Sequence, residues 1–241
     1  MCPVTSIREM PEQQHVTRFA PSPSGELHLG HAYAALFAWR HAGEDPARFR
    51  LRIEDIDAGR SRPEFEAAIL ADLDWLGIAA AQQPMRQSER TDAYRTALGR
   101  LEANGLLYPC FCTRADIRNE IEKASAAPHL PRTGPDGPLY PGTCRSLTAD
   151  DRARRIAAGD AYALRLDVAR AEAEAGRLTW LDRARGEQRA RPQIFGDVVL
   201  ARKDVPASYH LAVTLDDAAQ GVTLVTRADD LAPATHLHRL L

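Results

Sequence analysis

Pro21-Ser22-Pro23-Ser24-Gly25-Glu26-Leu27-His28-Leu29-Gly30-His31 separates two stretches of opposite periodicity. Before it, Val16-Thr17-Arg18-Phe19-Ala20 reads as a short strand. After it, from about His31, Ala35, Leu36 and Trp39 recur at the spacing of one apolar helix face. The prolines withhold backbone donors and Gly25 permits a sharp turn, so the strand ends here and a helix begins. A helix N-terminus just beyond the carboxyl end of a strand presents N–H groups suited to an anion. Two imidazoles three residues apart, His28 and His31, can both donate to phosphate oxygens. Gly30 between them lets a flat ring come close to the backbone. A lone His-x-Gly-His is a weak signal; the strand–turn–helix setting supplies the context that the chemistry needs.

Working outward, Phe49-Arg50-Leu51-Arg52-Ile53-Glu54 alternates strictly and predicts a strand, with Phe49, Leu51 and Ile53 on one face and Arg50, Arg52 and Glu54 on the other. Ser61 and Glu64 have the spacing of a capping box. Phe65, Ile69, Leu73 and Leu76 then form a helical stripe that stops at Gly77. Another helix is expected from about Glu89 to Asn104, with Tyr94, Leu98 and Leu101 inward. The Pro-, Gly- and Ala-rich residues 124–143 read as a long surface loop. A helix at 149–158 follows, then strands at Tyr162–Asp167, Asp197–Arg202, Tyr209–Leu215 and Val222–Thr226. Strands alternating with helices predict an α/β fold with a doubly wound, Rossmann-like parallel sheet. The expected organisation is a loose tail at 1–15, halves of one catalytic domain at 16–107 and 148–241, and a small insertion at 108–147.

The 241 residues carry a formal net charge of −2 and 44% hydrophobic residues, ordinary for a soluble globular protein. There is no secretory leader and no apolar run of membrane-spanning length, so the expected location is the cytoplasm. Without a global pull toward a polyanion, any RNA binding relies on local basic patches. Among the four cysteines, Cys110, Cys112 and Cys144 bracket the long loop, while Cys2 lies in the tail. In a cytosolic chain such clustering favours a metal over disulfides, and three thiolates with a fourth donor suit one tetrahedral Zn²⁺ of structural role.

Several stretches together resemble the glutamyl-tRNA synthetase family of class I aminoacyl-tRNA synthetases. These are Arg18-Phe19-Ala20-Pro21-Ser22-Pro23, His28-Leu29-Gly30-His31, Arg52-Ile53-Glu54-Asp55-Ile56-Asp57, Gln87-Ser88-Glu89-Arg90, and Leu215-Asp216-Asp217 with Arg227 downstream. Ile56, Pro23-Ser24-Gly25-Glu26-Leu27-His28 and Gln220-Gly221-Val222-Thr223 resemble the shortened glutamyl-Q tRNA(Asp) branch. The resemblance implies ATP, with Mg²⁺, as one substrate and L-glutamate as another. It implies queuosine-bearing tRNA(Asp) as acceptor, a monomer with no membrane partner, and catalysis by His28, Gly30 and His31. It places Arg18, Ala20, Ser22, Glu54, Tyr209 and Arg227 around glutamate: the arginines toward carboxylates, Glu54 toward the ammonium. It also implies Tyr140 as fourth metal ligand, in Tyr-x-x-x-Cys with Cys144; His129 and His31 have the chemistry but not the spacing. One departure is Ala228, where the family commonly has glycine after the arginine.

The second class I motif, a Lys-Met-Ser-Lys-like loop, has no counterpart: the two lysines are Lys123 and Lys203, and the latter sits in a strand-end turn. The expectation is a truncated chain with weakened activation. Two other readings stand beside this one, an N-terminal fragment of an ordinary glutamyl-tRNA synthetase and a zinc-containing binding module without catalysis.

Overall fold

The computed structural model describes residues 15–125 and 133–241. Residues 1–14 of the expected tail, with Cys2, and His129 fall outside the described residues. The chain divides into two compact units, residues 1–55, 59–86 and 219–226 in the first and 56–58, 87–218 and 227–241 in the second.

In the first unit, β1 (Thr17–Phe19), α1 (Leu29–His41), β2 (Phe49–Ile53) and α2 (Pro63–Trp75) alternate as the sequence predicts, and a two-residue strand that it does not predict, β3 (Met85–Arg86), follows. The strands lie in the order β1-β2-β3, and both pairings are parallel. Parallel neighbours need a crossover, which α1 and α2 supply. Phe19, Ala35, Ala38, Trp39, Phe49, Leu51, Ile53, Ile69 and Leu73 share one core. Burial of each large aliphatic side chain there contributes about 1.5–3 kcal/mol.

Three further details of this unit depart from the sequence reading or add to it. Helix α2 has Arg62 as its N-cap with no side-chain cap bond and begins at Pro63, so Ser61 forms no capping box. The fixed φ of proline starts the helix instead. Arg52, on the polar face of the alternation, is nonetheless fully buried: it donates to Glu54 Oε1 at 3.2 Å and to Gln220 Oε1 at 3.1 Å. A parallel strand is covered on both faces, so its second face must be satisfied internally. Residues 222–226 form no strand. The amides of Thr223 and Leu224 both donate to Val16 O, which gives one anchor point rather than a ladder.

The second unit contains α3 (Thr91–Ala103), β4 (Leu107–Cys110), α4 (Arg114–Ser125), β5 (Thr133–Gly134) and β6 (Gly137–Pro138). It continues with α5 (Ala149–Ala157), β7 (Ala163–Leu166), α6 (Val168–Ala175), β8 (Thr179–Asp182), β9 (Gly186–Arg189), β10 (Val199–Arg202), α7 (Tyr209–Ala219) and α8 (Ala234–His238). Its central sheet, β10-β7-β4, is antiparallel. The expected loop at 124–143 thus yields the end of α4 and a small β5–β6 hairpin among its described residues.

The segment expected as a strand at Tyr209–Leu215 is helix α7. Leu211, Val213 and Leu215 mimic a strand's alternation, but the buried residues are Leu211, Ala212, Val213 and Asp216, a consecutive run with an i, i+4 step that no strand shows. Asp216 is fully buried and joins two motifs over 120 residues apart: it accepts from Arg90 Nε (2.6 Å), Gln87 Nε2 (3.0 Å) and the Tyr94 hydroxyl (2.8 Å). Among the described residues, no helix is long and apolar enough to cross a membrane.

Candidate active site

The turn after β1 is fixed by two backbone bonds within the first unit: Glu54 N–H donates to Pro21 O and Arg62 N–H to Pro23 O, each at 2.9 Å. The first bond ties the exit of β2 to the exit of β1. It therefore gathers Arg18, Ala20, Ser22 and Glu54 at the carboxyl ends of neighbouring parallel strands, where such sheets bind ligands. The Arg18 guanidinium donates to Thr226 O at 2.8 Å, and Glu54 accepts from buried Arg52.

Helix α1 begins with a cap made of two histidines. His28 is the N-cap; its Nδ1 accepts the Gly30 N–H at 3.1 Å, while its own N–H donates to His31 Nδ1 at 3.3 Å. A neutral imidazole that accepts through Nδ1 carries its proton on Nε2. The cap thus sets both rings as Nε2–H donors. Their centroids lie 3.9 Å apart at 30°. Burial, and then the neighbouring His28, hold the His31 pKa below the ordinary imidazole value. The flat ring lying against Gly30 is that of His28: a Cβ at position 30 would sit 3.0 Å from its Cε1.

In the second unit, Tyr209 opens α7, and its ring lies 5.6 Å from that of His238. Arg227 donates to Thr235 Oγ1 at 3.1 Å and to His238 Nδ1 at 3.2 Å. The structure thus brings both Tyr209 and Arg227 against one imidazole, that of His238. Ala228 has φ −71° and ψ 159°, which any L-residue adopts, so alanine in place of glycine imposes no strain there.

The same unit holds the cysteine cluster. Strand β4 ends at Cys110, the turn into α4 carries Cys112, and Gly142, at φ +87°, reverses the chain so that Cys144 returns toward Tyr140. The three Sγ atoms lie within 4.8 Å of one another. Cys112 Sγ is 3.4 Å from both Cys144 Sγ and the Tyr140 hydroxyl, and that hydroxyl accepts the Cys144 N–H at 2.8 Å. The Arg165 guanidinium covers the Tyr140 ring at 3.9 Å. Burial pushes the Cys112 thiol up to about 12. At Cys144 burial acts in the same sense, but bonds from the Tyr140 hydroxyl and the Phe111 amide outweigh it, and its thiol sits below the ordinary value. Deprotonated together, three thiolates this close would need a cation between them. Tetrahedral Zn–S bonds of about 2.3 Å separate sulfurs by about 3.8 Å, close to the spacing already present. The donor set fits such an ion.

Residues 14–241 match the family model of class I tRNA synthetases (E and Q), catalytic domain. Glutamyl-Q tRNA(Asp) synthetase of Rhodobacter capsulatus is 49% identical over 228 residues, 92% of this chain and 80% of that protein. The one from Symbiobacterium thermophilum is 45% identical, over 93% of this chain and 68% of its own length. This chain belongs to the glutamyl-Q tRNA(Asp) synthetase family. Its fold is that of a class I synthetase catalytic domain: a glutamate tRNA ligase from Elizabethkingia meningosepticum, crystallised with its amino acid, superposes with a TM-score of 0.76 at 27% identity, over 94% of this chain and 46% of that one. Membership makes the protein a ligase of the aminoacyl-tRNA synthetase type. In this synthetase, three groups escaped sequence reasoning. Arg52, Gln220 and Asp216 sit within or beside stretches that match the family, yet they bond to protein groups inside the core. Nothing in local periodicity could announce partners so distant in the chain.

Proposed function

We propose that the protein activates glutamate with ATP without help from tRNA and transfers the glutamyl group to queuosine in the anticodon of tRNA(Asp). The observation that carries this reading is the double-histidine cap, which presents two oriented Nε2–H donors at a helix N-terminus. In the first step an oxygen of the glutamate α-carboxylate attacks the α-phosphorus of ATP, the bond from that phosphorus to the α,β-bridging oxygen breaks, and pyrophosphate leaves. Charge grows on the phosphate oxygens, where preset donors act with little reorganisation. His28 and His31 are the donors assigned to that charge. Mg²⁺, which accompanies ATP, neutralises the phosphates when bound. In the second step a hydroxyl of queuosine takes the glutamyl carbonyl and AMP leaves.

For glutamate, the assigned residues are Arg18, Ala20, Ser22, Glu54, Tyr209 and Arg227. Arginine is the fitting residue because its planar fork matches a carboxylate. Zinc, held by Cys110, Cys112, Cys144 and Tyr140, ties the two arms of residues 110–144 together and takes no part in the chemistry.

Two measurements test the reading. Glutamate-dependent exchange of pyrophosphate into ATP proceeds without tRNA, and labelled glutamate is retained on tRNA(Asp) carrying queuosine but not on the same tRNA with guanosine at that position. Label on the 3′ end of tRNA(Glu), or no exchange at all, overturns it. For the metal, the purified protein carries about one zinc per chain by elemental analysis, and Cys144→Ser loses most of it; a wild-type zinc content in that variant would dismiss the ligand assignment.

A further inference from the structure

The second unit contains a line of four side chains, of which the activation chemistry above uses only Arg227. Arg227 Nη2 lies 3.2 Å from His238 Nδ1, His238 Nε2 lies 3.0 Å from His210 Nδ1, and His210 Nε2 lies 3.1 Å from Asp136 Oδ2. The direction of every bond follows from the two ends. A guanidinium only donates, so His238 Nδ1 accepts; its proton is on Nε2, which donates to His210. His210 in turn accepts through Nδ1 and donates from Nε2 to a carboxylate that can only accept. All four ring nitrogens are used, and both tautomers are fixed.

The four residues come from separate places: the β5–β6 turn, the first turn of α7, the segment after residue 226, and the end of α8. His210 is packed edge-on against Phe195, and Tyr209 stands against both imidazoles at 5.4 and 5.6 Å. Burial holds the His210 pKa below the ordinary value, which suits a ring that must accept. The same guanidinium donates to Thr235 Oγ1 at 3.1 Å, so its plane is set by contacts to α8 at two atoms.

We propose that His238 and His210, anchored by Asp136, are positioning residues that orient the Arg227 guanidinium and thereby set the affinity for the glutamate carboxylate. This rests on the functional reading above, in which Arg227 engages glutamate. Hydrogen-bonding groups that lock a ligand-contacting side chain limit the entropy that ligand binding must remove.

The test compares binding of a glutamyl-sulfamoyl adenosine, a stable mimic of glutamyl-AMP, with binding of ATP, by calorimetry on the full chain. Arg227→Ala weakens the mimic by about 100-fold, as for loss of a charged anchor. His238→Ala weakens it by about 10-fold, and His210→Ala by about 3-fold, in keeping with bonds one and two steps removed. ATP affinity stays at the wild-type value in each. His238→Gln recovers most of the loss, because an amide oxygen accepts from Arg227 and the amide N–H donates to His210. Adding His238→Ala to Arg227→Ala costs nothing further, since the two act as one unit. If Arg227→Ala binds the mimic as wild type, the functional reading fails. If Arg227→Ala weakens binding but the two histidine-to-alanine variants do not, the positioning role fails alone. It fails equally if the losses add in the double variant, or if His238→Gln binds as poorly as His238→Ala.

Discussion

Asp216→Ala lowers the unfolding free energy of the second unit by about 3–5 kcal/mol, the cost of removing one partner from a buried ion pair. The carboxylate is fully buried while Arg90 is about three-quarters covered, its side chain 24% exposed. Deleting it leaves Arg90 Nε, Gln87 Nε2 and the Tyr94 hydroxyl without their common acceptor. Asp216→Asn is a milder change. Its amide oxygen still serves Arg90, and its amide N–H can donate to Gln87 and Tyr94, since both carry an acceptor oxygen. The charge is lost and the Tyr94 O–H no longer donates here, so the cost is about 1–2 kcal/mol, below that of deleting the side chain. Urea unfolding checks the order: the midpoint falls slightly for Asp216→Asn and far more for Asp216→Ala, with the slope unchanged. Equal midpoints for the two variants would show that the buried acceptor is not what holds Gln87, Arg90 and Tyr94 together.

This cluster marks where sequence reasoning stops. The parallel half of the fold is readable because its signals are local: strict alternation over Phe49–Ile53, proline and glycine after β1, and apolar residues of α1 and α2 at helical spacing. Helix α7 defeats the same method. Leu211, Val213 and Leu215 fit period two as well as Leu211, Ala212 and Leu215 fit a helix, and only tertiary pairing of Asp216 decides between them. Arg52 escapes it for a related reason. The alternation puts it opposite the apolar residues but does not tell that Glu54 and Gln220 satisfy it internally. The family match finds the pieces of the candidate site, and the structure adds their hydrogen-bond partners. His210 and His238 carry no motif of their own, so their link to Arg227 exists only once α7 and α8 are folded.

His28→Ala slows glutamate-dependent pyrophosphate exchange by about 10²–10³-fold, as for loss of one preset donor to developing charge. The KM for glutamate changes little, because the lost bond matters most in the transition state. Histidine at this position has two tasks that separate by substitution. Its Nδ1 caps α1, and its Nε2–H faces away from the cap. Asparagine can accept the Gly30 N–H as an N-cap, but it has no second nitrogen at the reach of Nε2. His28→Asn therefore keeps the roughly 1 kcal/mol of capping stability that His28→Ala loses, and shares its slow exchange. Gly30→Ala completes the set without deleting any donor. The added Cβ would stand 3.0 Å from His28 Cε1, so the ring must give by a few tenths of an ångström, which stretches its bond to the Gly30 N–H and displaces Nε2. Exchange then falls by about 10-fold or more from misplacement alone. A His28→Asn variant with wild-type exchange would reduce His28 to a helix cap and leave the phosphate chemistry to His31.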